Sequence, residues 1–412
     1  MVKIASTLLA LSATLSVVLG HPGHGKNGLS ILEKRGTTGP EPAGCSTTYK
    51  AVAAGSYPTL DCIPFIEDPQ VQTWLKLVDM TKVPVYPLSN DGACPTNTAS
   101  IPAGQCWWTC QKCTAADDIT FCPNANTWGL TYDDGPSPDS PRLYDALDAH
   151  QQKATLFIVG SRAVSYPSTL QRAYKAGHQI AIHTWSHPMI TSLSNEQIVA
   201  ELKWTEKAIF STIGVTPLYW RPPYGDVDNR VRAIATQLGY KTSIWTDGFD
   251  TNDWNIPAGT ATAQSVINTF KTWLTKIPTM STGFIVLEHD LFPQEVDVAI
   301  TGILPLAYAD KTLIMEPIAK CIGDATPYKE GAGTFVLGAP ANNSTSSTGT
   351  TGTTGTTATI SGSTASGTSG SGAAAPTVAG KSSSALSVVA NNGLAMAAAG
   401  SSMIVAVITT VF

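Results

Sequence analysis

The stretch TWGLTYDDGPSP, Thr127 to Pro138, carries an apolar run into two adjacent carboxylates and then a Gly-Pro turn. Asp, Gly, Pro and Ser are turn residues, because Asp bonds its own backbone and Gly supplies positive φ. On that reading a strand simply ends here. On a chemical reading, Asp133 and Asp134 at a strand end are a metal ligand beside a base. The choice depends on what the chain places at its other strand ends.

Between Cys113 and Cys321, strand-like runs alternate with helical ones. The strand-like runs are WGLTY (128–132), ATLFIV (154–159), HQIAI (178–182), LYWR (218–221), TSIWT (242–246), FIVLE (284–288) and TLIME (312–316). The clearest helix is SNEQIVAELKWTEKAIFSTIG, where Ser194 and Gln197 form a capping box and Gly214 suits the end. A second is expected from Val227 to Leu238, with Asp226 as N-cap and Gly239 as the stop. Alternation of this kind predicts a parallel α/β organisation. Seven strands can close into a barrel or stay open as a doubly wound sheet, and periodicity does not choose.

Chemistry-bearing residues follow these runs one after another. Asp133 and Asp134 follow the first, His183 and His187 the third, Arg221 and Tyr224 the fourth, Asp253 the fifth and His289 the sixth. At the C-terminal ends of barrel strands they would converge on one face, where β/α barrels keep their active sites. In HTWSHP the two histidines stand four apart, a weak metal signal by itself. One carboxylate of the Asp pair completes a two-His, one-carboxylate set that leaves a coordination position for water. The other carboxylate can take a proton from that water, held by a charge-assisted bond from Arg221 of RPPYG. His289 of FIVLEHD can protonate a leaving group, and Asp253 of DTNDW can raise its pKa. Each residue also has a structural reading as turn, surface ion pair or packed histidine.

As a set, TYDDGP, HTWSHP, RPPYG, DTNDW and IVLEHD resemble the five ordered motifs of NodB-like polysaccharide deacetylases (carbohydrate esterase family 4), over about Thr127 to Cys321. The resemblance implies a distorted (β/α) barrel of seven to eight strands and metal-dependent hydrolysis of acetyl groups on sugars. It implies Asp133 as general base, Asp134, His183 and His187 as metal ligands, and Arg221 as the residue orienting Asp133. It further implies the Tyr224 backbone N–H as an oxyanion donor and His289, tuned by Asp253, as general acid. Trp254 and Leu287 would line the acetyl pocket. Tyr132 stands where the family often has Phe. The implied cofactor is a divalent metal, zinc first and cobalt second. A Cys122–Cys321 bridge is implied as well, since the ends of a closed barrel are neighbours.

The rest of the 412-residue chain bounds the setting. Net charge is −5 with no basic block, which argues against nucleic acid as partner. Of eight cysteines, six lie from Cys45 to Cys113. Cys110 and Cys113 form a C-x-x-C pair, but no second pair follows, so disulfides are expected rather than a zinc knuckle. Six cysteines allow fifteen connectivities, and spacing does not select one. Residues 1–20 read as a secretory signal and 21–35 as a pro-segment ending at Lys34-Arg35. Residues 36–120 are a cysteine-rich extension, either a small carbohydrate-binding module or, the reading preferred for want of a boundary linker, a disulfide-stapled wrap on the catalytic region, 121–325. Residues 338–384 are a Ser/Thr/Gly-rich stalk with sequons at Asn342 and Asn343, and 385–412 read as a lipid-anchor (GPI) signal.

That context resembles a secreted fungal protein held at the wall and outer membrane face by a lipid anchor. Chitin, converted to chitosan, is then the expected substrate. Other acetylated glycans such as acetylxylan, or a non-catalytic wall sugar-binding role, are the alternatives. Trp185, Trp254 and the Trp107-Trp108 pair are aromatics that can stack on sugar faces, and the last pair is equally suited to packing among the disulfides.

Overall fold

The stretch Thr127–Asp133 forms one strand in two halves, β1 (Thr127–Gly129) and β2 (Thr131–Asp133), interrupted at Leu130. The computed structural model describes residues 45–333. The expected signal (1–20), pro-segment (21–35), stalk (338–384), anchor signal (385–412) and both sequons, Asn342 and Asn343, lie outside the described residues. After β2 come β3 (Thr155–Ile158), β4 (Gln179–Ile182), β5 (Tyr219–Trp220), β6 (Lys241–Thr242), β7 (Phe284–Ile285) and β8 (Ile314–Glu316). Counting the broken first strand once, the described residues carry seven strands.

All paired strands are parallel. One sheet runs β2-β3-β4-β5-β6 and the other β7-β1-β8. Leu130 joins them on one side: its N–H donates to Glu316 O and its C=O accepts from Thr155 N, both at 2.9 Å. The N–H and C=O of one strand residue point the same way, so β8 and β3 flank the first strand on the same side. On the other side the backbone closes the ring. The chain beyond β6 bonds to β7 through Thr246 N to Ile285 O (3.0 Å) and Leu287 N to Phe249 O (3.0 Å). The end of the β7 run returns to β2 through Asp133 N to Glu288 O (2.9 Å) and Asp290 N to Asp133 O (3.1 Å). The sheet is therefore a closed, distorted barrel rather than an open doubly wound sheet.

Strands β2 to β5 are buried on both faces because helices cover the outside. Every residue of β3 and β4 is buried. Trp128 packs against Phe270 and Phe284 with ring centroids 5.3 and 6.0 Å apart, filling the space under the helix Ala263–Lys276. The longest helix, Asn195–Ile213, starts at the Ser194–Gln197 capping box and stops at Gly214, whose φ is +78°. The next differs from expectation. It spans Asn229–Gln237, and its N-cap is Asp228, which accepts from Val231 N, not Asp226. Asp226 is fully buried and takes its bonds elsewhere, from Trp107 and Thr191.

The cysteine-rich residues 45–120 lie on the barrel. Their bridges are Cys45–Cys62, Cys94–Cys110 and Cys106–Cys113, and Cys122–Cys321 links the two ends of the barrel region. Ile119 is bonded between Thr242 and Ile244, extending the ladder at β6. Arg232 donates to Asp118 and to the carbonyls of Cys106 and Cys113, fastening the cysteine loops to the helix Asn229–Gln237. Trp74 sits edge-on to Trp204 at 5.1 Å, so the extension also covers the longest helix.

Candidate active site at the strand ends

Because the strands are parallel, their C-terminal ends share one face. Asp133 ends β2, His183 follows β4, Arg221 follows β5, and His289 follows the β7 run. Asp133 N–H donates toward the β7 side, to Glu288 O, while Asp134 N–H donates to Phe157 O on β3. Consecutive residues thus turn to opposite neighbours, and their carboxylates meet different partners.

Asp133 meets Arg221. Nη1 of Arg221 donates to Asp133 Oδ1 at 2.8 Å and to Thr131 Oγ1 at 2.9 Å. The guanidinium also lies 4.1 Å from the Phe157 ring centroid. Burial pulls the Arg221 pKa below its usual value, and Asp133 opposes that pull. A guanidinium remains charged regardless.

Asp134 meets both histidines. Its Oδ1 is 3.2 Å from His183 Nε2 and 3.1 Å from His187 Nε2, and the three ligand atoms lie within 4.8 Å of one another. No hydrogen bond reaches that buried oxygen. His183 Nδ1 is 2.8 Å from Arg221 O, so its proton belongs there and the Nε2 lone pair faces Asp134. Two imidazole lone pairs and an orphaned carboxylate oxygen, all buried, form a donor set that fits a divalent cation. Burial pushes the Asp134 carboxyl up, but His187 and His183 outweigh it and hold it well below the usual range. Burial likewise lowers His187 against the pull of Asp134, favouring the neutral form that ligates.

His289 and Asp253 form the third group. His289 Nδ1 lies 2.7 Å from Asp253 Oδ1, and the His289 backbone N–H donates to Oδ2 at 2.8 Å. Burial alone would lower the imidazole, but the adjacent carboxylate overrides it and holds His289 well above its ordinary value. Trp254 is half-buried and its N–H donates to Asp253 Oδ1, while Leu287 is buried with its carbonyl bonded to Thr251. The Tyr224 ring packs edge-on to His187 at 4.6 Å, in the turn Pro223–Gly225.

Four non-glycine residues here adopt positive φ: Asp134 (75°), Thr184 (64°), His187 (58°) and Tyr224 (59°). Such backbone persists only when its surroundings over-determine it, and it concentrates at functional sites.

Sequence reasoning missed one supporting residue. Glu201, buried in the helix Asn195–Ile213, accepts from Trp185 N (2.7 Å), Ser186 N (2.9 Å) and Ser186 Oγ (2.6 Å), bracing the loop between the two histidines. An acid three residues after Ile198 and four before Thr205, on the inward stripe of an amphipathic helix, is the signal that could have found it. Sugar-stacking by Trp185 is overturned. It is fully buried, stacked on Tyr57 at 6.0 Å and donating from Nε1 to Thr59 O at 3.2 Å. Trp107 and Trp108 are buried too, among the disulfides.

Comparison with known proteins gives the class. Residues 121–243 match the family model described as Polysaccharide deacetylase. Chitin deacetylase 1 of Cryptococcus neoformans var. grubii is 50% identical over 285 residues, 67% of this chain and 60% of that one. Chitin deacetylase 1 of Saccharomyces cerevisiae is 36% identical over 269 residues, 65% of this chain and 81% of that one. Among solved structures, the chitin deacetylase from Colletotrichum lindemuthianum aligns at 30% identity and a TM-score of 0.46, covering 52% of this chain and 95% of that one. The match spans 60% of the Cryptococcus relative and 66% of the Amylomyces rouxii chitin deacetylase. This chain belongs to the polysaccharide deacetylase family.

Proposed function

We propose that this protein hydrolyses the N-acetyl groups of N-acetylglucosamine polymers, taking chitin to chitosan and acetate. The observation that carries the reading is the divergence of the Asp pair: Asp133 binds a buried arginine and Asp134 faces two imidazoles. The relatives named chitin deacetylases support the choice of polymer.

Asp134, His183 and His187 would hold the metal, zinc in our reading and cobalt as the second choice. When bound, a cation there supplies Lewis-acid polarisation of the amide carbonyl and acidifies water. Asp133, aimed by Arg221, takes the proton of the attacking water. The Tyr224 backbone N–H donates to the oxygen that becomes negative as the carbonyl carbon turns tetrahedral. His289, charged through Asp253, gives its proton to the nitrogen as the C–N bond breaks. Acetate and a free amine leave, and the proton on Asp133 restores His289. Trp254 and Leu287 line the pocket for the acetyl methyl group.

We further propose secretion and lipid anchoring at the outer face of the plasma membrane and in the wall, with glycosylation at Asn342 and Asn343. The four disulfides favour an oxidising compartment.

The test is acetate release by the purified protein from chitin oligomers and from acetylxylan, before and after chelation, with Asp133→Asn alongside. Release from chitin oligomers that chelation and Asp133→Asn both abolish, and zinc restores, is the expected result. Release from acetylxylan only would move the substrate. No release from either glycan by metal-loaded protein would overturn the hydrolase reading.

A further inference from the structure

The cysteine-rich extension reaches the site from outside the barrel. Cys94–Cys110 and Cys106–Cys113 tie residues 94–113 into a double loop. Three consecutive residues of that loop bind three consecutive residues just after Tyr224. Thr109 Oγ1 donates to Gly225 O at 3.0 Å, Trp107 Nε1 to Asp226 Oδ1 at 2.7 Å, and Trp108 N to Val227 O at 3.0 Å. The Trp108 ring lies so close over Gly225 that a Cβ there would come within 2.4 Å of it. With a φ of +65° as well, only glycine suits this position. Trp245 meets Trp108 edge-on at 4.5 Å and closes on the same glycine.

The contact continues inward. Asp226 accepts from Thr191 N and Thr191 Oγ1, both at 2.9 Å, and Thr191 lies four residues past His187. Ser89 of the extension donates its N–H to Thr191 O at 3.1 Å. Within the turn, Gly225 N donates to Pro222 O at 3.0 Å and Asp226 N to Pro223 O at 2.9 Å, with Tyr224 between them at a φ of 59°. The contacts from the extension add to these.

We propose that Trp107, Trp108 and Thr109 form a clamp that fixes the Pro223–Gly225 turn and, through Asp226 and Thr191, ties it to the loop carrying His187. Trp107, Trp108 and Asp226 are then positioning residues for the hydrolysis, and the disulfides hold the clamp itself. This rests on the reading of the Tyr224 N–H as the oxyanion donor. Such a donor works only at hydrogen-bond range of the developing charge, and a displacement of about 1 Å can cost on the order of a hundredfold in rate.

The test uses the whole protein with Trp107→Phe, which keeps an aromatic ring and removes the donor, and with Asp226→Asn. A Cys45→Ser/Cys62→Ser variant loosens the extension elsewhere. The readouts are kcat and KM on chitin oligomers, bound metal, and hydrogen exchange of the peptide 221–228. Expected are a fall in kcat of about tenfold in the first two variants, unchanged KM and metal content, and faster exchange at 221–228. The Cys45→Ser/Cys62→Ser protein keeps its kcat. Faster exchange with kcat unchanged overturns the proposal, as does an equal loss of kcat in the cysteine variant. If the unaltered protein releases no acetate, the hydrolase reading falls separately. Exchange then decides the clamp, supporting it if 221–228 exchanges faster in both variants and overturning it if not.

Discussion

Arg221 Nη1 lies 2.8 Å from Asp133 Oδ1, and the two side chains are 0% and 1% exposed. A buried pair of this kind has no water to replace a lost partner. Arg221→Ala leaves a buried carboxylate unpaired and is expected to cost about 3–5 kcal/mol of stability. Asp133→Asn keeps an acceptor for the guanidinium but removes its counter-charge, so it should lose part of that stability, less than Arg221→Ala. Its acetate release should fall by about 10²- to 10⁴-fold, the range for removing a general base. Denaturant melts and acetate assays on both variants check the contrast. Equal stability loss in both would mean that Asp133 is structural.

The Asp253–His289 pair is expected to set the alkaline limit of acetate release. Its carboxylate holds the imidazole well above the ordinary value, so the charged form is favoured in the fold. The stability that this pair contributes is present in full below about pH 6.5 and is lost as pH rises through the raised pKa. A general acid needs that proton, so kcat/KM should decline over the same high-pH window. Asp253→Asn removes the largest charge opposing burial and leaves only Asp134 and Glu295 to offset it, which lowers the pKa. The alkaline limb should then move downward by about one pH unit or more. A pH–rate profile of the two proteins checks the direction, and an unmoved limb would assign it to another group.

Glu201 should show itself through the metal. Its carboxylate collects the amides of Trp185 and Ser186 and the Ser186 hydroxyl, all between the two histidines. Glu201→Gln replaces one acceptor oxygen with a donor facing donors. Groups that orient metal ligands typically contribute about 10- to 100-fold in affinity, so zinc titration by calorimetry should weaken by that much. Added zinc should also raise the wild-type melting temperature, by about 2.7 kcal/mol of stabilisation at a hundredfold excess over Kd. His187→Ala should abolish that rise.

Much of this arrangement was legible because parallel strands place chemistry at their C-terminal ends. The ends of β2, β4 and β5 carry Asp133, His183 and Arg221, and a reader of the strand pattern meets them in order. Closure was not legible, because it depends on bonds such as Thr246 N to Ile285 O between runs far apart in sequence. Trp185 was misread because Tyr57 and Thr59, from far upstream in the chain, cover it, which no local pattern displays. Asp226 looked like an N-cap from its place before a helical run. Three donors from two other segments hold it instead, which no local pattern displays. The connectivity of the six upstream cysteines likewise follows the path of the extension over the barrel, not their spacing.

The Cys122–Cys321 bridge should matter for stability and little for chemistry. It joins residues separated by 199 positions, and both cysteines are buried beneath the barrel's opening and closing segments. Loop-closure entropy for a link of that length corresponds to about 5 kcal/mol. Cys122→Ala/Cys321→Ala is therefore expected to lower the denaturant midpoint markedly while leaving the KM of the surviving folded protein unchanged. The bridge lies at Gly129, where a Cβ would come within 3.1 Å of Cys122 Sγ, toward the start of the first strand and away from Asp133. Equilibrium unfolding and acetate kinetics at a temperature where the variant remains folded separate the two effects. A raised KM with an unmoved midpoint would place the bridge in the site instead of in the frame.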